Sequence, residues 1–256
     1  MRATDLNRRF LAALLAAVLL PFAGFGKDFE SEDENGQSAA IISKFLQATQ
    51  KHEVLRGASM EVEINASVPR LKENGKLHAL RSISRVGQIT YHVLAFQGDN
   101  TVKKDVIGRY LQAEQQGEGD QSLAISPVNY KFKYKGEKTT DKGKKVFVFA
   151  LSPRKKKIGL FKGEMWLDGS TYLPVYERGR LVKNPSIFFK QVNFERAFAI
   201  RNGLAVPSYM NSTIDTRVIG KVELNVNYSK FSESAQDEPS ETSEAQAVLL
   251  HSSLAK

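Results

Sequence analysis

The sequence contains no cysteine among its 256 residues. This absence excludes disulfides, Cys-ligated zinc, iron–sulfur clusters and thiol nucleophiles, and it also excludes an N-terminal lipobox, whose cysteine would carry the lipid. Hydrophobic residues make up 41% of the chain and charged residues 25%, which are ordinary values for a soluble globular protein. The composition therefore excludes wholesale disorder, a collagen-like chain and a membrane protein with several spans.

Motifs for catalysis are also missing. The chain has no GxSxG, GxGxxG, P-loop or HExxH pattern. Its four histidines are scattered, and no two of them have the i, i+4 spacing of a metal site on a helix. A Ser/His/Asp site assembled across strands stays open as an alternative, but nothing in the sequence favours it. We therefore expect a protein that is not an enzyme and that has no metal and no cofactor.

The N-terminus has the pattern of a secretory signal peptide over residues 1–26. Three arginines precede an apolar run over 10–22, which is too short to span a bilayer comfortably. Small residues follow, so that cleavage after Gly26 is expected, with Ala23 as the other choice. A retained N-terminal anchor is the alternative interpretation. We expect an exported protein that resides in the periplasm.

Charge is distributed unevenly along the rest of the chain. Two acidic, Ser- and Glu-rich segments, 27–37 and 232–256, are expected to be disordered. The domain between them, 38–231, carries 32 Lys or Arg and 17 Asp or Glu. A basic domain suggests nucleic acid or an anionic surface, and export argues against nucleic acid. Anionic lipid headgroups, acidic envelope polymers or an envelope protein remain as partners.

The densest basic cluster is Arg154-Lys155-Lys156-Lys157, next to a predicted strand. Such a cluster at one end of a sheet predicts a surface that faces a headgroup or a membrane. A merely solvated face is the alternative, and it is the more usual role of a run of charges.

Two segments have helical periodicity. Ile41, Ile42 and Phe45 belong to an apolar stripe in 38–55, and Gly57 closes that segment. A second stripe begins at Val102 and predicts a helix of about four turns that ends before Gly117.

The remaining segments alternate between apolar and polar residues and predict about ten strands. Turn dipeptides separate several of them: Asn74-Gly75, Asp168-Gly169, Asn184-Pro185 and Asn202-Gly203. Because no crossover helix fits between successive strands, the sheet is predicted to be an antiparallel meander in a single, mainly β domain of the α+β class. Two helices covering a strongly curved sheet can leave an apolar hollow, as in barrels that hold a ligand. An ordinary filled core explains the apolar faces equally well.

Short motifs in the second half of the domain resemble the outer-membrane lipoprotein-sorting family, the periplasmic lipoprotein carriers of the LolA type. The resemblance covers about 38–231, and these segments carry it: Gly163-Glu164-Met165-Trp166-Leu167-Asp168, Thr171-Tyr172-Leu173-Pro174-Val175, Asn202-Gly203, Val206-Pro207-Ser208 and Tyr228-Ser229-Lys230-Phe231.

This resemblance implies an incomplete antiparallel β-barrel whose hydrophobic concave face is covered by helices and holds lipid or lipoprotein acyl chains. Members of the class carry lipoproteins, bind lipids or act as envelope sensors, and we expect a monomer. The arginine that holds the covering helices closed in the carriers cannot be placed in this sequence: Arg81 and Arg85 lie on a plausible strand, but no motif fixes either of them. The expected lipid-binding residues are Val62, Ile64, Tyr91, Val93, Phe132, Tyr134, Met165, Phe188, Phe194, Met210, Ile214, Leu224 and Val226.

Overall fold

A computed structural model describes residues 36–50, 57–117 and 120–233 of the chain. The predicted signal peptide and most of both acidic segments lie outside the described residues. Within them the chain forms ten strands: β1 (Ala58–Val68), β2 (Glu73–Ile83), β3 (Ile89–Gly98), β4 (Tyr130–Thr139), β5 (Lys145–Pro153), β6 (Phe161–Asp168), β7 (Pro174–Leu181), β8 (Phe189–Arg201), β9 (Leu204–Thr216) and β10 (Lys221–Glu233).

The ten strands form one antiparallel sheet in the order β3-β2-β1-β10-β9-β8-β7-β6-β5-β4. All neighbours are consecutive hairpin strands except β1 and β10, which pair in the middle of the sheet. Both edges stay open, so that the sheet is an incomplete barrel, as predicted. It is also less strongly curled than the sequence analysis expected.

Two helical regions accompany the sheet, which confirms the predicted number. The first, α1, spans Gly36–Gln50. The second is continuous from residue 100 to 117 and consists of α2 (Asn100–Val102), a π-helical segment (Lys103–Gly108) and α3 (Arg109–Gly117). We call this continuous element the second helix. Among the described residues, no helix has both the length and the apolar character needed to cross a membrane.

The turn between β1 and β2 differs from the prediction. The chain reverses in a short 3₁₀ helix, Pro69–Leu71, and Lys72 follows with a left-handed φ of 56°. Asn74 and Gly75 instead lie inside β2, opposite Ser67 and Ala66 of β1. Gly75 is needed there for a close approach, because a Cβ at this position would lie 3.1 Å from Cγ1 of Val102 on the second helix. The glycine that indicated a turn therefore serves helix packing.

Two other predicted turns are confirmed. Asn202 and Gly203 both have positive φ, at 50° and 77°, as a two-residue hairpin turn of the primed type requires. Asp168 ends β6, and its Oδ1 accepts hydrogen bonds from the backbone N–H groups of Ser170 and Thr171. These contacts fix the hairpin between β6 and β7.

Candidate functional site

Both helices pack on one face of the sheet, which we call the inner face. Alternate residues of the strands point towards this face, as the pattern of strictly alternating burial along β1 illustrates. Buried residues of nine strands and both helices join in a single hydrophobic cluster, against which Tyr91 of β3 also packs. The inner face is therefore apolar across nearly the whole width of the sheet.

The first helix covers the part of the inner face near β4 and β5. Phe45 is fully buried, and its ring centroid lies 6.5 Å from that of Phe132 on β4. The Phe132 ring lies 6.3 Å from Phe149 on β5 in an edge-to-face arrangement. Further along the face, Phe161 and Phe194 meet edge to face at 4.9 Å. Such aromatic pairs add to the stabilisation from burial alone.

The second helix covers the other part of the inner face, near β1, β2 and β3. Val102, Val106 and Ile107 are completely buried there. Its middle section has π-helical hydrogen bonding, which is rare in proteins and often found at functional positions. In this structure the inner face is thus covered by side chains of the two helices.

A buried ion pair joins the second helix to β2. Nε and Nη2 of Arg81 lie 2.8 Å and 2.7 Å from Oε1 of Glu114. The hydroxyl of Tyr91 on β3 donates a hydrogen bond to Oε2 of the same carboxylate. Burial raises the pKa of Glu114, while the charge of Arg81 and its hydrogen bond oppose that rise. Of the two arginines that the sequence left open, Arg81 therefore contacts a covering helix.

A second polar contact joins this helix to β10. The hydroxyl oxygens of Tyr110 and Tyr228 lie 3.1 Å apart. Burial raises the pKa of Tyr110 and places that of Tyr228 well above the usual range. Both phenols therefore stay neutral at physiological pH, as a hydrogen bond between two hydroxyls requires.

Another ion pair lies within the inner face between β7 and β8. Nε and Nη2 of Arg196 lie 2.7 Å and 2.5 Å from Oε2 of Glu177. The guanidinium also lies 5.7 Å from the ring centroids of Phe194 and Phe198. Among the described residues, no donor reaches Oε1 of Glu177, which is fully buried. The inner face is thus apolar with two embedded charged pairs, and one acceptor in it is left for a water or a ligand group.

The structure places most of the expected lipid-binding residues on the inner face. Nine of them are buried in the hydrophobic cluster: Val62, Ile64, Phe132, Met165, Phe194, Met210, Ile214, Leu224 and Val226. Tyr91, Tyr134 and Phe188 are partly buried and pack against it. Val93 differs, because it lies on the edge strand β3 and is 47% exposed. The contact of any of these residues with a lipid remains a prediction.

The basic cluster lies in the loop between β5 and β6. Nζ of Lys157 lies 3.3 Å from Oδ2 of Asp120, and Nε of Arg154 donates to the carbonyl oxygen of Pro127. Lys155 and Lys156 are exposed. Two of the four side chains thus have structural contacts, which the run of charges in the sequence could not reveal.

The outer face of the sheet is polar. A groove of about 800 Å³ crosses it from β5 to β9, and charged or amide side chains such as Lys162, Glu164, Arg178 and Asn193 line it. An acyl chain would gain little from such a surface. The described residues contain no group of three or more His, Cys, Asp or Glu that could hold a metal ion.

No protein-family profile matches this sequence, and no curated protein sequence does. Solved structures with a similar overall architecture include a domain from Vibrio parahaemolyticus described as an outer-membrane lipoprotein-sorting protein. It is 13% identical, with a TM-score of 0.36 over 81% of this chain and 99% of that one. A LolA-superfamily protein from Nitrosomonas europaea is 10% identical, with a TM-score of 0.33 over 77% and 93%.

The structure of the MucA/MucB complex of Pseudomonas aeruginosa is also similar, at 11% identity and a TM-score of 0.28 over 78% of this chain and 100% of that one. The Vibrio parahaemolyticus and Nitrosomonas europaea structures are described by the family that the sequence resembles. Because the TM-scores are low, the function proposed below is argued from this chain's own residues.

Proposed function

We propose that this protein is a periplasmic, non-catalytic carrier or binder of lipid or lipoprotein acyl chains, and that these chains bind on its inner face. One observation carries the proposal: a single apolar cluster extends over almost the whole inner face, and within the part of the chain that the structure describes two helices cover it. Burying an acyl chain there would contribute on the order of 0.8 kcal/mol per CH₂ group.

Binding requires that a helix leaves the inner face, because its side chains occupy the space in the closed state. The second helix is the better candidate. It contains the π-helical segment, and polar contacts through Glu114 and Tyr110 add to its apolar packing. An acyl chain that replaced Val102, Val106 and Ile107 would restore the lost apolar contacts. The polar contacts would then set how readily the helix moves.

The charged pair between Arg196 and Glu177 suggests where a polar part of the ligand would lie. Oε1 of Glu177 needs a donor, and a hydroxyl or amide N–H at the end of an acyl chain could supply one. This proposal favours lipids with a donor near the carbonyl group over simple alkanes.

A fluorescent fatty acid and mass spectrometry of co-purified lipids test the proposal together. The wild type is expected to take up the probe and to retain a lipid from the envelope. Phe194→Ser shortens an inner-face side chain and is expected to weaken uptake at least tenfold, whereas Asn225→Ser on the exposed outer side of β10 leaves it unchanged. A wild type that retains no lipid and takes up no probe would refute acyl-chain binding.

A second candidate function is a sensing or structural module with a permanently filled core. The complete burial of Phe45 and Val106 against the inner face favours it. Such a module would bind an anionic envelope partner through its Lys-rich surface. The uptake experiment separates the two candidates, since only the carrier takes up an apolar probe.

A further inference from the structure

One end of the sheet combines positive charge with exposed apolar side chains. Four neighbouring connections meet there: the segment before β4, the β5–β6 loop, the β7–β8 loop and the β9–β10 turn. The chain segments that form this end are 120–136, 153–163, 178–194 and 216–222. They contain one acidic residue, Asp120, whose carboxylate pairs with Lys157. We call this end the basic rim.

The basic rim carries two large apolar side chains that are highly exposed. Val128, before β4, is 72% exposed, and Ile187, in the β7–β8 loop, is 81% exposed. Single exposed apolar residues are common on protein surfaces and need no explanation by themselves. The way in which the backbone holds these two residues is the unusual feature.

An arginine fixes the backbone around Val128. Nε of Arg154 donates to the carbonyl oxygen of Pro127, and the backbone N–H of Arg154 donates to the carbonyl oxygen of Asn129, both at 2.8 Å. The side-chain amide of Asn129 donates to the carbonyl oxygen of Ala124 at 2.9 Å. The turn that presents Val128 is thus held on both sides of the residue.

The same arrangement recurs around Ile187. Nε of Arg217 donates to the carbonyl oxygen of Ile187, and the backbone N–H of Arg217 donates to that of Phe188, both at 2.9 Å. The neighbouring Phe188 packs against the core. In both loops the side chain and the backbone N–H of an arginine hold the backbone around an apolar residue that points outwards. A loop in which an apolar residue is exposed by chance does not need this support.

Exposed lysines surround these two positions. Lys155 and Lys156 occupy the β5–β6 loop, while Lys183 and Lys190 flank Ile187. Two apolar side chains held outwards among cations match the chemistry of an anionic bilayer surface, where cations meet headgroups and apolar side chains enter the boundary of the acyl chains.

We propose that the basic rim is a docking surface for an anionic lipid bilayer, with Val128 and Ile187 as inserting residues and Lys155, Lys156, Lys183 and Lys190 as headgroup contacts. This inference does not require that the inner face binds acyl chains. Each lysine near an anionic surface should strengthen binding about fivefold, and each inserted side chain about tenfold. Salt should weaken the lysine contribution, because the screening length is only about 8 Å at physiological ionic strength.

Vesicle co-sedimentation tests the proposal. The protein is mixed with phosphatidylcholine vesicles that contain either no or about one third phosphatidylglycerol, at low and high salt. The wild type is expected to bind the anionic vesicles, and high salt should reduce that binding. The double variants Val128→Ser/Ile187→Ser and Lys155→Ala/Lys156→Ala should each bind at least tenfold more weakly.

Val86 supplies the matched control. It is 82% exposed but lies in the β2–β3 turn at the opposite end of the sheet, so that Val86→Ser should bind like the wild type. The proposal would be overturned if Val86→Ser and Val128→Ser/Ile187→Ser bound anionic vesicles equally well. Binding of polyglutamate as strong as that of anionic vesicles, unaffected by the loss of Val128 and Ile187, would also overturn it in favour of an acidic protein partner.

The absence of cysteine allows a second readout. A single cysteine introduced as Ile187→Cys and labelled with an environment-sensitive fluorophore should shift to the blue on anionic vesicles, whereas a label at Val86→Cys should not. If neither label responds while the protein binds vesicles, Ile187 does not insert and the proposal fails. The fatty-acid uptake experiment is separate, so that failure of one function is distinguishable from failure of the other.

Discussion

Arg81 of β2 holds Glu114 of the second helix through two nitrogen atoms, at 2.7 Å and 2.8 Å from Oε1, and neither side chain is more than 7% exposed. A charged group removed from water in this way is stable only while its partner is present. The pair therefore makes the position of the helix depend on a specific contact, in addition to its apolar packing.

Removal of Arg81 alone should be costly. Arg81→Met leaves the Glu114 carboxylate buried without its cation, and we expect a loss of roughly 3–5 kcal/mol in the free energy of unfolding. The double variant Arg81→Met/Glu114→Leu replaces the pair with apolar side chains and should recover most of that loss. Urea unfolding of the two variants and of the wild type measures the difference.

The exposed pair of Lys76 and Glu63 serves as the control for this comparison. Its atoms lie 3.0 Å apart, but its side chains are 51% and 43% exposed. Lys76→Met should therefore cost less than about 1 kcal/mol. An equal cost for Arg81→Met and Lys76→Met would contradict the importance of the buried pair.

The hydrogen bond between Tyr110 and Tyr228 should make the fold sensitive to alkali. Burial raises the pKa of both phenols, so that the fold favours their neutral form. Stability from this pair is complete below the ordinary tyrosine pKa of about 10 and falls as the pH rises further.

Tyr228→Phe should cost about 1 kcal/mol at pH 7, since it removes one hydrogen bond. It should also reduce the loss of thermal stability between pH 9 and pH 11, because one fewer buried phenol must ionise. Thermal unfolding followed by circular dichroism measures both effects. Identical pH dependence in the variant and the wild type would show that other groups control alkaline unfolding.

Asp168 should contribute to stability in the opposite pH range. Burial by itself would raise the pKa of this carboxyl, but hydrogen bonds from Thr171 and Ser170 outweigh burial and lower it. The stabilisation is fully present above the pKa of Asp168 in the unfolded chain, which is near 4. It disappears as the pH falls through the lower pKa that Asp168 has in the folded protein. Asp168→Asn should cost roughly 2 kcal/mol at pH 7, and the difference from the wild type should shrink towards pH 3. Chemical unfolding at pH 7 and at pH 3 tests this, and a constant difference would contradict it.

The glycine pair between β6 and β7 should tolerate no side chain. A Cβ on Gly163 would lie 2.6 Å from Cα of Gly179 and would collide with the carbonyl oxygen of Arg178. Gly163→Ala should therefore destabilise the fold by roughly 3 kcal/mol. Gly36→Ala is the control, because no atom lies within 4 Å of a Cβ there. Urea unfolding of both variants measures the difference. A loss of less than about 1 kcal/mol in the free energy of unfolding of Gly163→Ala would contradict the close approach of the two strands.

Alternation and turn residues predicted the strands well because both are local properties of the chain. Tyr130, Phe132 and Tyr134 alternate with lysines in the sequence, and these tyrosines and phenylalanine do face the core from β4. The pair Asn202 and Gly203 predicted its turn for the same reason. Gly75 misled the prediction, since its role depends on Val102, which is distant in sequence.

Contacts between distant elements account for what the sequence could not reveal. Glu114 has the pattern of an ordinary charged residue on a helix, and only the fold brings it to Arg81. Glu177 and Arg196 lie opposite each other on neighbouring strands, where alternation would place apolar residues. Val93 fits the alternation but is exposed because β3 is an edge strand. The sequence signal for Glu177 and Arg196 would have been their charge at strand positions that alternation assigns to the inner face.

The central claim, that acyl chains enter when the second helix leaves the inner face, can be tested by locking that helix. A Cβ at position 75 would lie 3.4 Å from Cβ of Val102, close to the separation of about 3.5–4.5 Å in a disulfide. Gly75→Cys/Val102→Cys should form the only disulfide in a chain that otherwise lacks cysteine. Uptake of a fluorescent fatty acid by this variant is measured before and after reduction. We expect uptake only after reduction, with the single variant Val102→Cys equally active under both conditions. Equal uptake by the oxidised and reduced forms would contradict the claim.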